Sequence, residues 1–85
     1  MNASPQGNEA FKAGNYQQAA VHYTEALTLD DAQHALYSNR AACFQQMREP
    51  KLALTDVNHV LTFDPTNEKA LARKKVYEGQ VAGGM

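Results

Sequence analysis

The amino-acid sequence predicts an all-α fold of stacked helical hairpins, and three observations carry that prediction. Most of the pattern between Gly7 and Asp31 returns 34 residues later: Gly7 aligns with Ala41, Ala19 with Ala53, Leu27 with Leu61, Asp30 with Asp64 and Asp31 with Pro65. Tyr23 and Ala26 meet Val57 and Val60, so apolar character persists where identity does not. A fixed period of this size marks a repeat protein whose units bury their faces against one another. Apolar residues also recur at helical spacing in successive segments separated by Gly-Asn or proline turns. Finally, the 85 residues include fourteen alanines and neither isoleucine nor tryptophan, which favours close helix packing over strands.

The elements follow in order. Ser4-Pro5 reads as a helix start, with a hydroxyl acceptor at the N-cap and proline at the first helical position, where no amide donor is lost. The first helix runs to about Ala13, and Gly14-Asn15, which tolerate positive φ, break it. A second helix from about Gln17 to Leu29 carries Ala19, Ala20, Tyr23, Ala26 and Leu27 on one stripe. After the turn Asp30-Asp31-Ala32, a third helix from about Gln33 to Met47 should bury Leu36, Tyr37, Ala41, Phe44 and Met47. Pro50 ends that helix by disfavouring the α conformation at Glu49, and can open the next at N1. The fourth helix, about Lys51 to Phe63, should bury Leu52, Ala53, Val57, Val60 and Leu61. Asp64-Pro65-Thr66-Asn67 combines a turn with N-cap chemistry, and a fifth helix from about Glu68 to Val81 should bury Leu71, Val76 and Tyr77. The predicted organisation is one domain over residues 4–81, with repeats at about 4–31 and 33–65, a capping helix at about 67–81 and a frayed tail at 82–85.

Composition excludes several classes of function. Charged residues make up 20% of the chain and the net charge is −1, so nothing in the total favours a nucleic-acid or membrane-surface partner. No apolar run reaches the length of a bilayer span, and Met1–Gln6 lacks the apolar stretch of a secretory signal. The formal sequon Asn2-Ala3-Ser4 is therefore read as chance. The single cysteine, Cys43, cannot pair internally and fits a reducing, cytoplasmic setting, where it should be a small packed thiol. His22, His34 and His59 have no metal-ligand spacing and read as surface or loop residues; no metal or cofactor is expected. There is no phosphate loop, nucleophile elbow or paired-acid site, so the chain does not read as an enzyme.

The pattern G-N-x-x-F-K-x-G-N-Y-x-x-A-x-x-x-Y-x-x-A-L, from Gly7 to Leu27, resembles a tetratricopeptide repeat, and the resemblance extends over about residues 4–80. It implies two helix-turn-helix repeats and a fifth capping helix in a right-handed superhelical stack, with the first helix of each repeat lining a concave groove. By the family's register, groove positions fall on Ser4, Asn8 and Lys12, on Ala35, Ser38, Asn39, Ala42 and Gln46, and on Lys69, Arg73, Val76 and Gln80.

Within this family the chain is similar to the carboxylate-clamp subfamily, which binds the Glu-Glu-Val-Asp C-terminus of heat-shock chaperones of the 70 and 90 kDa classes. The clamp takes a lysine and an asparagine from the first helix, an asparagine from the third, and a lysine and an arginine from the fifth. Asn8, Asn39, Lys69 and Arg73 match four of the five, in the contexts G-N-x-x-F-K, L-Y-S-N-R-A-A and K-x-x-x-R-K; the first lysine falls at Ser4 and is missing. The chemistry suits two carboxylates: Lys69 and Arg73 at i, i+4 share a helix face, arginine grips a carboxylate bidentately, and the asparagines donate without a counter-ion. Lys12, one turn beyond Asn8, can supply part of the missing charge. The resemblance thus implies a monomeric peptide-binding module of a co-chaperone or adaptor. The rival reading is a scaffold repeat packed within a larger assembly, its groove incidental and its lysines a solvated helix end.

Overall fold

Ser4 opens the fold as an N-cap: its Oγ accepts the Gly7 amide at 3.1 Å, and Pro5 occupies the first helical turn. The computed structural model describes residues 4–30 and 32–83. Asn2 and Ala3 of the formal sequon, Asp31 of the first inter-repeat turn, and the tail residues Gly84 and Met85 lie outside the described residues. Five helices follow one another: α1 Pro5–Lys12, α2 Tyr16–Leu29, α3 His34–Gln46, α4 Pro50–Phe63 and α5 Glu68–Gly83, and each packs against the next. No strand occurs among the described residues. Helix α5 extends two residues beyond the expected end at Val81.

Both hairpins turn by the same chemistry. Gly14 stands at φ 83° with its amide on the Phe11 carbonyl and the Asn15 amide on the Ala10 carbonyl. Thirty-four residues on, Arg48 takes φ 60°, with its amide on Gln45 and the Glu49 amide on Phe44. This paired bonding closes a helix through a left-handed residue, a position that favours glycine. The inter-repeat turns also correspond. Asp30 accepts the Ala32 amide and the Gln33 side chain, and Asp64 accepts the Asn67 side chain while Asn67 Oδ1 caps the Ala70 amide at 2.9 Å.

The core runs along the stack through Ala19, Ala41 and Ala53, all fully buried, with Leu36, Val57, Cys43 and Tyr77 as the largest sealed side chains. Small residues let the helices approach closely. At Gly7 an added Cβ would lie 2.6 Å from the Tyr23 ring, so the first hairpin tolerates nothing larger there. Ala26, Phe44, Met47 and Leu61 are only partly buried.

Three expected core residues face solvent: Leu52 is 47% exposed, Leu71 46% and Val76 52%. On α4 the buried stripe is Ala53, Asp56, Val57 and Val60, which leaves Leu52 about 100° away. On α5 the buried residues are Ala70 and Tyr77, and the Tyr77 ring fills the space against the preceding repeat while its hydroxyl donates to Gln45 Oε1 at 2.6 Å. Leu71 and Val76 lie about 100° to either side of that line.

Asp56, a charged residue on the inward stripe of α4, is only 2% exposed. Arg40 donates from Nε to Asp56 Oδ2 at 2.9 Å and from Nη2 to Oδ1 at 2.7 Å, with Nη1 on Thr24 Oγ1 at 3.0 Å. One guanidinium thus ties α2, α3 and α4 together. The histidines are also better organised than expected of surface residues. His59 stacks on Tyr37 with centroids 4.0 Å apart, and His34 stacks on Phe63 at 3.8 Å.

Candidate functional site

The groove is made of two adjoining concavities that share Asn39 and Ala42. The first is bounded by Asn8, Phe11 and Lys12 of α1 and Tyr23 of α2. The second, of about 410 Å³, is bounded by His34, Ala35 and Ser38 of α3, Val60 and Phe63 of α4, Asp64 and Asn67 of the turn, and Lys69 and Arg73 of α5. The odd-numbered helices thus present one continuous face, as α-helical spacing requires of residues four apart. It includes Asn8, Lys12, Asn39, Lys69 and Arg73, all five of the residues singled out in the sequence.

Each is positioned by its local structure. Asn8 accepts the Tyr23 hydroxyl on Oδ1 at 2.7 Å, which leaves its amide nitrogen as a donor toward the groove. Burial first, then the neighbouring Cys43, pushes the Tyr23 phenol up from 10.0, so it remains a proton donor at neutral pH. Asn39 follows the buried Leu36 and Tyr37 in α3 and lies where the concavities meet. Lys69 and Arg73 stand one turn apart near the start of α5, which the Asn67 cap holds in place. The ion pairs among the described residues join His22 to Glu25 and Arg40 to Asp56; Lys12, Lys69 and Arg73 take part in neither. Among the described residues the groove therefore carries three cations without carboxylate partners, opposed in its lining by Asp64.

Ser4 does not join them. It is buried, and its hydroxyl is held by the Gly7 amide beside the Tyr23 ring. Gln46, Val76 and Gln80 line neither concavity. Conversely, His34 and Phe63 line the second concavity and were not expected to. His34, Ser38 and Ala42 are spaced four apart, so the spacing itself marks His34 as part of the face. Phe63 comes from α4, outside the helices expected to line the groove.

No protein-family model matches the chain. Among curated proteins it is 38% identical over 73 residues to the inactive TPR repeat-containing thioredoxin TTL3 of Arabidopsis thaliana, covering 86% of this chain and 11% of that protein. It is 37% identical over 71 residues to the Hsp70-Hsp90 organizing protein of Triticum aestivum, covering 84% of this chain and 12% of that protein. To the DnaJ homolog subfamily C member 7 homolog of Schizosaccharomyces pombe it is 38% identical over 82 residues, covering 91% of this chain and 17% of that protein. The chain thus spans between 11% and 17% of the length of these relatives. Among solved structures, the second TPR domain of human RPAP3, in complex with the HSP70 peptide SGPTIEEVD, superposes with a TM-score of 0.84 at 28% identity, covering 92% of this chain and 65% of that one. With five helices in two corresponding hairpins and a cap, a 34-residue period and relatives that carry the same repeat, the chain is a tetratricopeptide-repeat domain.

Proposed function

We propose that this domain binds the acidic C-terminal peptide of heat-shock chaperones of the 70 and 90 kDa classes, as the non-catalytic docking module of a cytoplasmic co-chaperone or adaptor, and does so as a monomer. The observation that carries the reading is the convergence of Asn8, Asn39, Lys69 and Arg73 on two joined concavities, with no carboxylate paired to either cation among the described residues. A terminal aspartate brings a main-chain and a side-chain carboxylate only a few ångströms apart. Asn39 sits between the two halves of the groove, where it reaches a carboxylate shared with Asn8 on one side and Lys69 on the other. Arg73 supplies a planar fork and Lys69 a point charge, both near the N-terminal end of α5, where the helix dipole also favours an anion. Lys12 meets an acidic side chain further along the ligand. The RPAP3 domain, solved with a peptide ending in Glu-Glu-Val-Asp, supports the same ligand class.

The test is isothermal titration with a peptide ending in Glu-Glu-Val-Asp against the same peptide amidated at its C-terminus. Binding of the free acid should weaken by about 1.5–3 kcal/mol in Arg73→Ala or Lys69→Ala, the range for a hydrogen bond to a charged group. It should also fall with rising salt. Equal binding of the two peptides, or parent-like binding by both variants, would remove the clamp and leave the scaffold reading. Lysine at position 4 is not the remedy for the missing charge that the family pattern implies. Ser4 is buried, so Ser4→Lys would delete the N-cap and crowd Tyr23 before reaching a ligand.

A further inference from the structure

We infer that His34 is a titratable member of the groove, and that the domain takes up a proton at His34 when it binds an acidic peptide. This rests on the groove being a carboxylate site. His34 lines the same concavity as Asn39, Lys69 and Arg73, one turn of α3 before Ser38. Its ring is parallel to that of Phe63, centroids 3.8 Å apart at 16°, and this stack holds its plane at the lining of the concavity. Phe63 is itself 48% exposed and flanked at 5.4 Å by His59. An aromatic face favours imidazolium over it. No carboxylate pairs with His34 among the described residues.

The surrounding charges set the direction of the coupling. From α5, Lys69 and Arg73 face the same space and oppose a further positive charge in the empty groove, as does the N-terminus of α3 itself. From the turn, Asp64 favours one, although its Oδ2 already accepts from Asn67. From α4, His59 lies across Phe63; before α3, Asp30 is engaged with Ala32 and Gln33. A bound peptide with two or more carboxylates neutralises Lys69 and Arg73 and adds negative charge beside His34. Protonation then becomes favourable, and by linkage the protonated groove binds the peptide more tightly. Imidazole is the side chain whose ordinary ionisation falls between pH 5 and 8, whereas the ligand's carboxylates stay ionised over most of that range.

The experiment is calorimetric titration with an N-acetylated peptide ending in Glu-Glu-Val-Asp, free and amidated, from pH 8 to 5.5 in buffers of different ionisation enthalpy. The free peptide should bind about two- to fivefold tighter at pH 5.5 than at pH 8, the size of one partly exposed charge pair, with proton uptake in the buffer comparison. His34→Phe keeps a ring against Phe63 but cannot charge, and should flatten the pH dependence and abolish the uptake. His59→Gln should behave as the parent. A parent whose affinity does not change with pH, or a His34→Phe variant that keeps the parent's slope, overturns the inference while leaving the carboxylate site standing. Equal binding of free and amidated peptide at every pH overturns both.

Discussion

Asp56→Ala should be the most damaging single change in the core, because it strands a guanidinium. Asp56 is 2% exposed and accepts two charge-assisted hydrogen bonds from Arg40, at 2.9 and 2.7 Å, whose side chain is itself only 19% exposed. Removing one partner of a buried pair costs about 3–5 kcal/mol, and since Arg40 lies near the surface and keeps Thr24, about 3 kcal/mol is the appropriate end of that range. A domain of this size has a total stability of roughly 4–13 kcal/mol, so the variant should retain only part of it. Its melting temperature should fall by about 12–24 °C, at about 4–8 °C per kcal/mol for a chain of this length. Thermal denaturation followed by circular dichroism, with urea titration as a second measure, reads this directly. The double variant Arg40→Met/Asp56→Leu should be clearly more stable than Asp56→Ala, since it removes the uncompensated charge along with its partner. If Asp56→Ala melts within about 2 °C of the parent, or the double variant is the less stable of the two, the pair is not the clasp described here.

Two further predictions concern the backbone and the core. Arg48→Gly should stabilise the domain by about 0.5–1 kcal/mol, because Arg48 occupies at φ 60° the left-handed cap that glycine fills at position 14; an unchanged or lower urea midpoint would refute this. Cys43 is fully buried, and burial, followed by Asp56, pushes its thiol up to about 11. Its unfolded thiol ionises near 9, so stability is retained below that pH and should be lost as pH rises through about 11, and a native thiol that reacts with a disulfide reagent at pH 8 as fast as in urea would contradict the packing.

The repeat was legible because it is written in identities at a fixed offset, and the groove because the resemblance to the tetratricopeptide family supplies a register that helical spacing turns into a face. Asn8, Lys12, Asn39, Lys69 and Arg73 could therefore be placed together before any coordinates. What spacing cannot reveal is which of several equally spaced stripes turns inward. Leu71, Val76 and Leu52 look like core residues by type, yet Tyr77 and Asp56 take the inward stripes, one through ring size and the other through a partner sixteen residues away on another helix. The Tyr37–His59 and His34–Phe63 stacks escaped for the same reason, since each joins α3 to α4 across a register that only packing determines.

The buried polar groups and the groove are parts of one arrangement. Arg40 follows Asn39, so the two side chains leave α3 about 100° apart, one toward Asp56 and the other toward the concavities. The fork that grips Asp56 and touches Thr24 therefore sets the rotation of α3, and with it the direction of Asn39. Tyr23, beside Thr24 on α2, reaches the other way and holds Asn8. On α5, Asn67 caps the first turn and the Tyr77–Gln45 bond anchors the third, which brackets Lys69 and Arg73. Asn8, Asn39 and the helix segment that carries Lys69 and Arg73 are thus held from behind by hydrogen bonds rooted in the core or at a helix cap. Donors held in this way lose less rotational freedom when a ligand arrives, and that favours binding of a short peptide. An apolar replacement of Arg40 and Asp56 could match the pair in stability, but it would leave the rotation of α3 to packing among small residues, where one alanine resembles the next. The bidentate pair admits a single rotation, and Asn39 points into the groove because of it.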